Sequence, residues 1–142
     1  MTFRQSDALS PPSLHLDIGI TGHRSNHSIF SANHVAIENV LATLMQQIDG
    51  LVDAVKRDVK PDVVAPLRLH SLLAYGADLM SVKLAQARNW EVVAPLPFGI
   101  SLNVAINAQP ENIDDMQALL GGQGPNDPTV AARAIDIRSA AQ

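Results

Sequence analysis

The chain has 142 residues, of which 46% are hydrophobic and 17% are charged, a composition that indicates one globular domain rather than a disordered chain. Its formal net charge of −4 argues against general binding to nucleic acid, which requires a basic face. Cysteine is absent, and this excludes disulfides, thiol nucleophiles and cysteine-ligated zinc.

The sequence carries no signal for secretion or membrane insertion. The first residues lack the apolar core of a signal peptide, and no apolar run is long enough to span a bilayer. We therefore expect a cytoplasmic protein without a membrane partner. Residues 1–13 are expected to form a flexible lead-in, and residues 14–142 a single domain.

Strand and helix patterns alternate through the first two thirds of the chain. Residues 14–21 form an apolar run that predicts the first strand. Apolar residues then recur at helical spacing from an N-cap at Ser31 to about Val59, where residues 60–62 contain a proline that ends the helix. The next apolar run, residues 67–74, predicts the second strand.

The rest of the chain continues this pattern and then loses it. Asp78 is predicted to cap a helix over residues 79–88, and residues 91–96 are predicted to form the third strand. Residues 100–109 give no clear signal. Helices are predicted over residues 110–120 and 129–140, the latter capped by Asp127 with Pro128 in its first turn.

This order of elements predicts an α/β protein with a Rossmann-like three-layer α/β/α fold and a parallel sheet. A parallel sheet of three strands has an exposed edge, which is a liability. Either a partner covers that edge, for example a second copy in a homo-oligomer, or the chain is the front part of a domain truncated at its C-terminal end.

Ligands of such sheets bind beyond the carboxyl ends of the strands. Three predicted turns meet there, and each follows an apolar strand. The residues that we expect to line a ligand pocket in these turns are Thr21, Gly22, His23, Arg24, Tyr75, Gly76, Ala77, Asp78, Pro97 and Phe98.

Each type of residue suggests a role. Gly22 either allows a ligand close to the backbone or forms a plain strand-to-loop turn. Arg24 either pairs with a phosphate or is a structural salt-bridge or solvent-exposed loop arginine. An anion is expected between residues 22–24 and the amides of residues 76–79 at the start of a helix. Asp78 is either an N-cap or a contact to ribose hydroxyls. His23 either contacts the ligand or bonds to local backbone.

The aromatic and apolar members of the set leave two interpretations open. Tyr75 either stacks on a base or sugar, or packs in the core. Pro97 and Phe98 form either an apolar wall of the pocket or part of the core.

Several chemistries find no support in the sequence. The histidines at positions 23, 27 and 34 have no neighbouring carboxylate, so no metal site is expected. No nucleophile elbow or Walker A pattern occurs, and Gly19-x-x-Gly22 falls short of the dinucleotide fingerprint. No catalytic residue is assigned and no cofactor is expected beyond a nucleotide ligand.

The three turns together resemble those of the SLOG superfamily, a group of Rossmann-like domains that includes LOG (lysine-decarboxylase-like) and DprA-like proteins and many bacterial proteins. The segments that carry the resemblance are Gly19-Ile20-Thr21-Gly22-His23-Arg24, Ala74-Tyr75-Gly76-Ala77-Asp78 and Val93-Ala94-Pro95-Leu96-Pro97-Phe98.

The resemblance implies a bacterial domain that binds or senses a nucleotide or another phosphorylated small molecule. The Pro-Gly-Gly-x-Gly-Thr-x-x-Glu motif of LOG enzymes is absent, and residues 121–124 do not replace it because they lack its proline, threonine and glutamate. Two alternatives stay open. One is a hydrolase that cleaves an N-glycosidic or phosphate bond of a nucleotide, and the other is a structural domain that oligomerises without a ligand.

Overall fold

The computed structural model describes residues 13–59 and 64–142. Most of the expected lead-in and the expected helix break at residues 60–62 lie outside these ranges. The described elements follow in the order β1 (Asp17–Gly19), α1 (Ser28–Asp58), β2 (Arg68–His70), α2 (Ala77–Gln86), β3 (Glu91–Val93), α3 (Gly99–Asn107), α4 (Ile113–Leu120) and α5 (Pro128–Ala140).

The three strands form a parallel sheet in the order β1-β2-β3, which confirms the predicted α/β class and strand direction. Ile18, Leu69 and Val92 stand side by side in the register. Each strand is shorter than its apolar run predicts. After β2 the chain turns out of the sheet, and Leu73 adopts a positive φ of 56°, a conformation that cannot continue a strand.

The two faces of the sheet differ in polarity. Leu69 is buried and belongs to the core that α1 and α2 cover. On the opposite face Arg68 pairs with Glu91 at 2.6 Å, and His70 lies 3.1 Å from Asp17. Among the described residues this second face carries charged side chains, so the predicted third layer is not confirmed.

Helix α1 is the longest element, with 31 residues. The predicted N-cap at Ser31 is wrong, because the N-cap is His27 and the helix begins four residues earlier than predicted. No side chain caps this end, and the first turn is closed by the backbone bond from the Ser31 N–H to the His27 carbonyl. Trp90 fastens β3 to α1 by donating from Nε1 to Asp49 Oδ1 at 2.7 Å. Arg88 adds a bond to the Ala42 carbonyl at 3.0 Å.

Three short helices follow the sheet. Helix α3 occupies a region without a clear sequence signal, and it is held by burial of Val104 and Ala105 against α4 and α5. Helix α4 begins after Asn112 rather than at residue 110. The predicted cap of the last helix is confirmed, because Asp127 accepts bonds from the backbone of Thr129 and Val130.

None of the five described helices is both long enough and apolar enough to cross a bilayer.

One buried carboxylate joins α4 to the loop before α5. Asp115 is 1% exposed and accepts hydrogen bonds from Asn112 Nδ2 and from the backbone N–H groups of Asn126 and Asp127. The bond from Asn126, with those from Asn112 and Asp127, lowers the pKa of the Asp115 carboxyl and outweighs the opposing effect of burial. The ionised form therefore stabilises this corner of the fold.

Asp115→Asn is expected to weaken the protein at neutral pH and to leave it less sensitive to acid. A lowered folded-state pKa contributes stability above the unfolded value of about 3.9, and that contribution is lost as pH falls through the folded value. Urea unfolding of both proteins between about pH 6 and about pH 2 measures this. The exposed neighbour provides the control, Asp114→Asn. A constant gap between the wild-type and Asp115→Asn curves would contradict the assignment.

Candidate functional site

The β1–α1 loop crosses the β2–α2 turn at the carboxyl edge of the sheet. Ser25 donates its N–H to the Tyr75 carbonyl at 2.8 Å, and Ala77 donates its N–H to the His23 carbonyl at 3.1 Å. Arg24 and Gly76 form an isolated antiparallel bridge between these two bonds. The first two predicted turns are thus joined by backbone bonds.

Two glycines permit this close crossing. A Cβ on Gly22 would lie 2.5 Å from the Ala77 Cβ. Gly76 has a φ of +151°, and a Cβ there would lie 2.8 Å from the Arg24 Cα and from the Ser25 nitrogen. Both glycines therefore have a structural reason to be glycine, namely the approach of one loop to the other.

The predicted N-cap role of Asp78 is wrong. Helix α2 begins at Ala77 after Gly76, so Asp78 is the second helical residue and its side chain caps nothing in the helix. It is 6% exposed and faces the turn after β2. Burial raises the pKa of the Asp78 carboxyl, against the opposing hydrogen bonds of the Leu72 backbone, the Ser71 side chain and the Ala74 backbone and the nearby charge of Arg24.

A cleft of about 310 Å³ opens beside this crossing. It lies between the two turns, the segment after β3 and one side of α3. Six of the ten residues predicted from the sequence line it, namely Thr21, Gly22, Arg24, Asp78, Pro97 and Phe98. We refer to this cavity as the cleft.

The other four predicted residues lie outside the lining of the cleft. His23 stacks on His27, with ring centroids 3.9 Å apart. Ala77 is buried under Gly22. Tyr75 and Gly76 line a different cavity. The Arg133 guanidinium lies 5.5 Å from the centre of the Tyr75 ring.

Helix α3 supplies the part of the cleft that the sequence did not predict. Asn103 and Asn107 stand one helical turn apart and both line the cleft. Asn103 donates to the Leu72 carbonyl at 2.8 Å, which ties α3 to the turn after β2. The remaining unpredicted lining residues are Leu72, Ala74, Leu96, Gly99, Leu102 and Ile106.

Two amide oxygens on this helix have no hydrogen-bond partner among the described residues. They are Oδ1 of Asn103 and Oδ1 of Asn107. Asn107 is 6% exposed, and a buried amide oxygen without a partner costs about 1–3 kcal/mol. Both residues line the cleft, so its wall holds two amide oxygens that no described group satisfies.

The mouth of the cleft carries an exposed aromatic ring. Phe98 is 78% exposed and precedes α3, next to Pro97. An exposed phenylalanine side chain contributes little burial energy to the fold. Its ring is a flat apolar surface on which a ligand can pack. The predicted alternative of core packing is therefore wrong for Phe98.

Among the described residues no group of three histidine or acidic side chains is placed to hold a metal ion.

Comparisons of this chain with protein-family models, with curated proteins and with solved structures found no match. The SLOG resemblance therefore stays a prediction that rests on the three sequence segments.

Gly76→Ala is expected to lower the free energy of unfolding by about 3 kcal/mol, because the new methyl group meets backbone atoms and the φ angle disfavours any side chain. Gly19→Ala is the matched control, since a Cβ there has nothing within 4 Å, and it should change stability by less than about 0.5 kcal/mol. Chemical denaturation measures both. Equal effects of the two substitutions would contradict the crossing as described.

Proposed function

We propose that this domain binds a phosphorylated small molecule in the cleft, and that a mononucleotide fits it best. The observation that carries the proposal is the combination in one cavity of a cation, Arg24, with a buried amide, Asn107, that lacks a partner for its oxygen. A volume of about 310 Å³ is at the small end of ligand pockets, which favours one nucleotide over a dinucleotide.

Arg24 is the group that would hold the phosphate. The amides at the start of α2 are less open than the sequence suggested, because Ala77 and Leu79 already donate to the carbonyls of His23 and Ala74. The Asp78 carboxyl accepts hydrogen bonds from the Leu72 backbone, the Ser71 side chain and the Ala74 backbone, so these donors are not free to bind a phosphate. A guanidinium can bind a phosphate through two parallel hydrogen bonds, without the backbone amides of α2.

The rest of the cleft favours a ligand that donates hydrogen bonds. Asn103 and Asn107 each have an amide oxygen without a hydrogen-bond partner among the described residues, and such acceptors match ribose hydroxyls or the amino group of a base. Phe98 and Pro97 supply the flat apolar surface on which a base can stack. A nucleotide combines the three features, since it has an anionic end, a hydroxyl-rich middle and a flat aromatic end.

This arrangement supports a Rossmann-like domain of the SLOG type that acts as a binding or sensing module. The three segments that resemble SLOG proteins follow the strands of one parallel sheet at its carboxyl edge. Hydrolysis has weaker support. Of the described residues that line the cleft, Asp78 alone is a carboxylic acid, whereas glycoside cleavage generally employs two. We therefore favour binding over catalysis.

Arg24→Ala is expected to weaken binding of nucleoside 5′-monophosphates at least about tenfold, because it removes the charge-assisted bonds to phosphate. Binding of the matching nucleosides, which lack phosphate, should be nearly unchanged. Calorimetric titration of both ligand sets into both proteins separates the phosphate contact from the base contact.

The matched control is Arg57→Ala, which removes an exposed arginine at the far end of α1 and should leave both affinities unaltered. The proposal fails if the wild-type protein binds none of the monophosphates. It also fails if Arg24→Ala keeps the full preference for nucleotide over nucleoside.

A second observation favours self-association of the domain. Helix α1 exposes Val40, Leu44, Leu51 and Val55, and their spacing of four, seven and four residues aligns them in one stripe. The spacing is the same from either end of the stripe. A two-fold contact between identical helices requires such self-complementarity, so we propose a second copy of the chain as the partner.

Leu51→Glu is expected to abolish this association, because it places a charge in the stripe at a residue that is 68% exposed and so tolerates substitution in the monomer. Sedimentation over a range of concentrations measures the mass. Ile135→Glu on α5, at a similarly exposed position, should leave the dimer intact. A wild-type protein that stays monomeric at its highest soluble concentration would contradict the proposal.

A further inference from the structure

A second cavity, of about 400 Å³, lies on the other side of the loop crossing. It is bounded by the start of α1, by α2 and by Asp136 of α5. None of the described residues lines both this cavity and the cleft. We call it the α1–α2 cavity, and the nucleotide proposed above does not involve it.

The floor of the α1–α2 cavity is apolar. Phe30 and Leu79 are buried beneath it, and Met80 and Tyr75 extend it toward the crossing. A floor of this kind takes up a hydrocarbon or aromatic group of a ligand rather than a strongly hydrated ion.

The rim of the cavity carries an excess of negative charge. Lys83 Nζ lies 2.9 Å from Asp136 Oδ2, so these two charges balance each other. Glu38, on α1, forms no salt bridge with any residue that the structure describes. The cavity is thus left with one unpaired carboxylate beside its apolar floor.

A histidine adds a further acceptor beside this carboxylate. His34 precedes Glu38 by four residues, so the two side chains share one face of α1. His34 Nδ1 lies 3.2 Å from the Ser31 carbonyl oxygen. A carbonyl only accepts, so Nδ1 carries a hydrogen, and in the neutral imidazole tautomer with that hydrogen Nε2 is an acceptor.

We propose that the α1–α2 cavity binds a small organic cation that consists of a primary amine on an apolar body. The ammonium group would lie between Glu38 and His34, whose oxygen and nitrogen atoms accept its hydrogens. The apolar body would lie on the floor over Leu79 and Met80. An anionic ligand is disfavoured because Glu38 and Asp136 face the same space.

The proposal is tested with phenethylamine as the probe, against 2-phenylethanol and 3-phenylpropionate, which keep the ring but change the charge. We expect the amine to bind more tightly than the alcohol and the carboxylate to bind least. Calorimetry gives the affinities. Equal affinity for amine and alcohol, or no binding of the amine, overturns the proposal.

Two substitutions with opposite expected signs make the test specific to charge. Glu38→Gln should weaken amine binding about threefold, and Lys83→Gln should strengthen it about threefold, because one removes an attraction and the other a repulsion. Both positions are exposed, so folding is expected to persist. Glu111→Gln, on the loop before α4, is the control and should have no effect. Loss of affinity in both cavity variants overturns the proposal.

Discussion

The architecture of this domain depends on the crossing of two loops at the carboxyl edge of its sheet. The crossing is closed by the bonds from Ser25 to Tyr75 and from Ala77 to His23, and it exists because Gly22 and Gly76 lack side chains. It fixes Arg24 beside the cleft and divides the edge of the sheet into two separate cavities. Two short loops thereby form a rigid partition, since both partners are backbone rather than mobile side chains.

Strand order explains why the cleft needs α3. In many α/β sheets a crevice opens where consecutive crossovers run in opposite directions. Here the order β1-β2-β3 runs in one direction, so the turns do not diverge to form a crevice. The third wall comes instead from α3, which Asn103 ties to the Leu72 carbonyl.

The sequence predicted the features that depend on residues close together in the chain. Alternating apolar runs predicted the parallel sheet, and a glycine followed by Arg24 predicted one side of the cleft. Helix α3 escaped prediction because asparagine competes with helical backbone bonds and is typical of loops. The four-residue spacing of Asn103 and Asn107 is the sequence signal that could have placed them on one helix face. Asp78 was misplaced because Gly76, with its unusual φ, is the N-cap of α2, and the helix therefore begins two residues earlier than it would with a cap at Asp78.

The central claim is that the cleft beside Arg24 is a nucleotide site whose ligand reaches the amides of α3. The most direct measurement is NMR observation of the side-chain amide groups of Asn103 and Asn107 during titration with a nucleoside 5′-monophosphate. The account predicts that both signals shift in saturable fashion with the same affinity as the backbone signal of Gly22. Saturable shifts confined to residues outside the cleft, or no shifts at all, would contradict it.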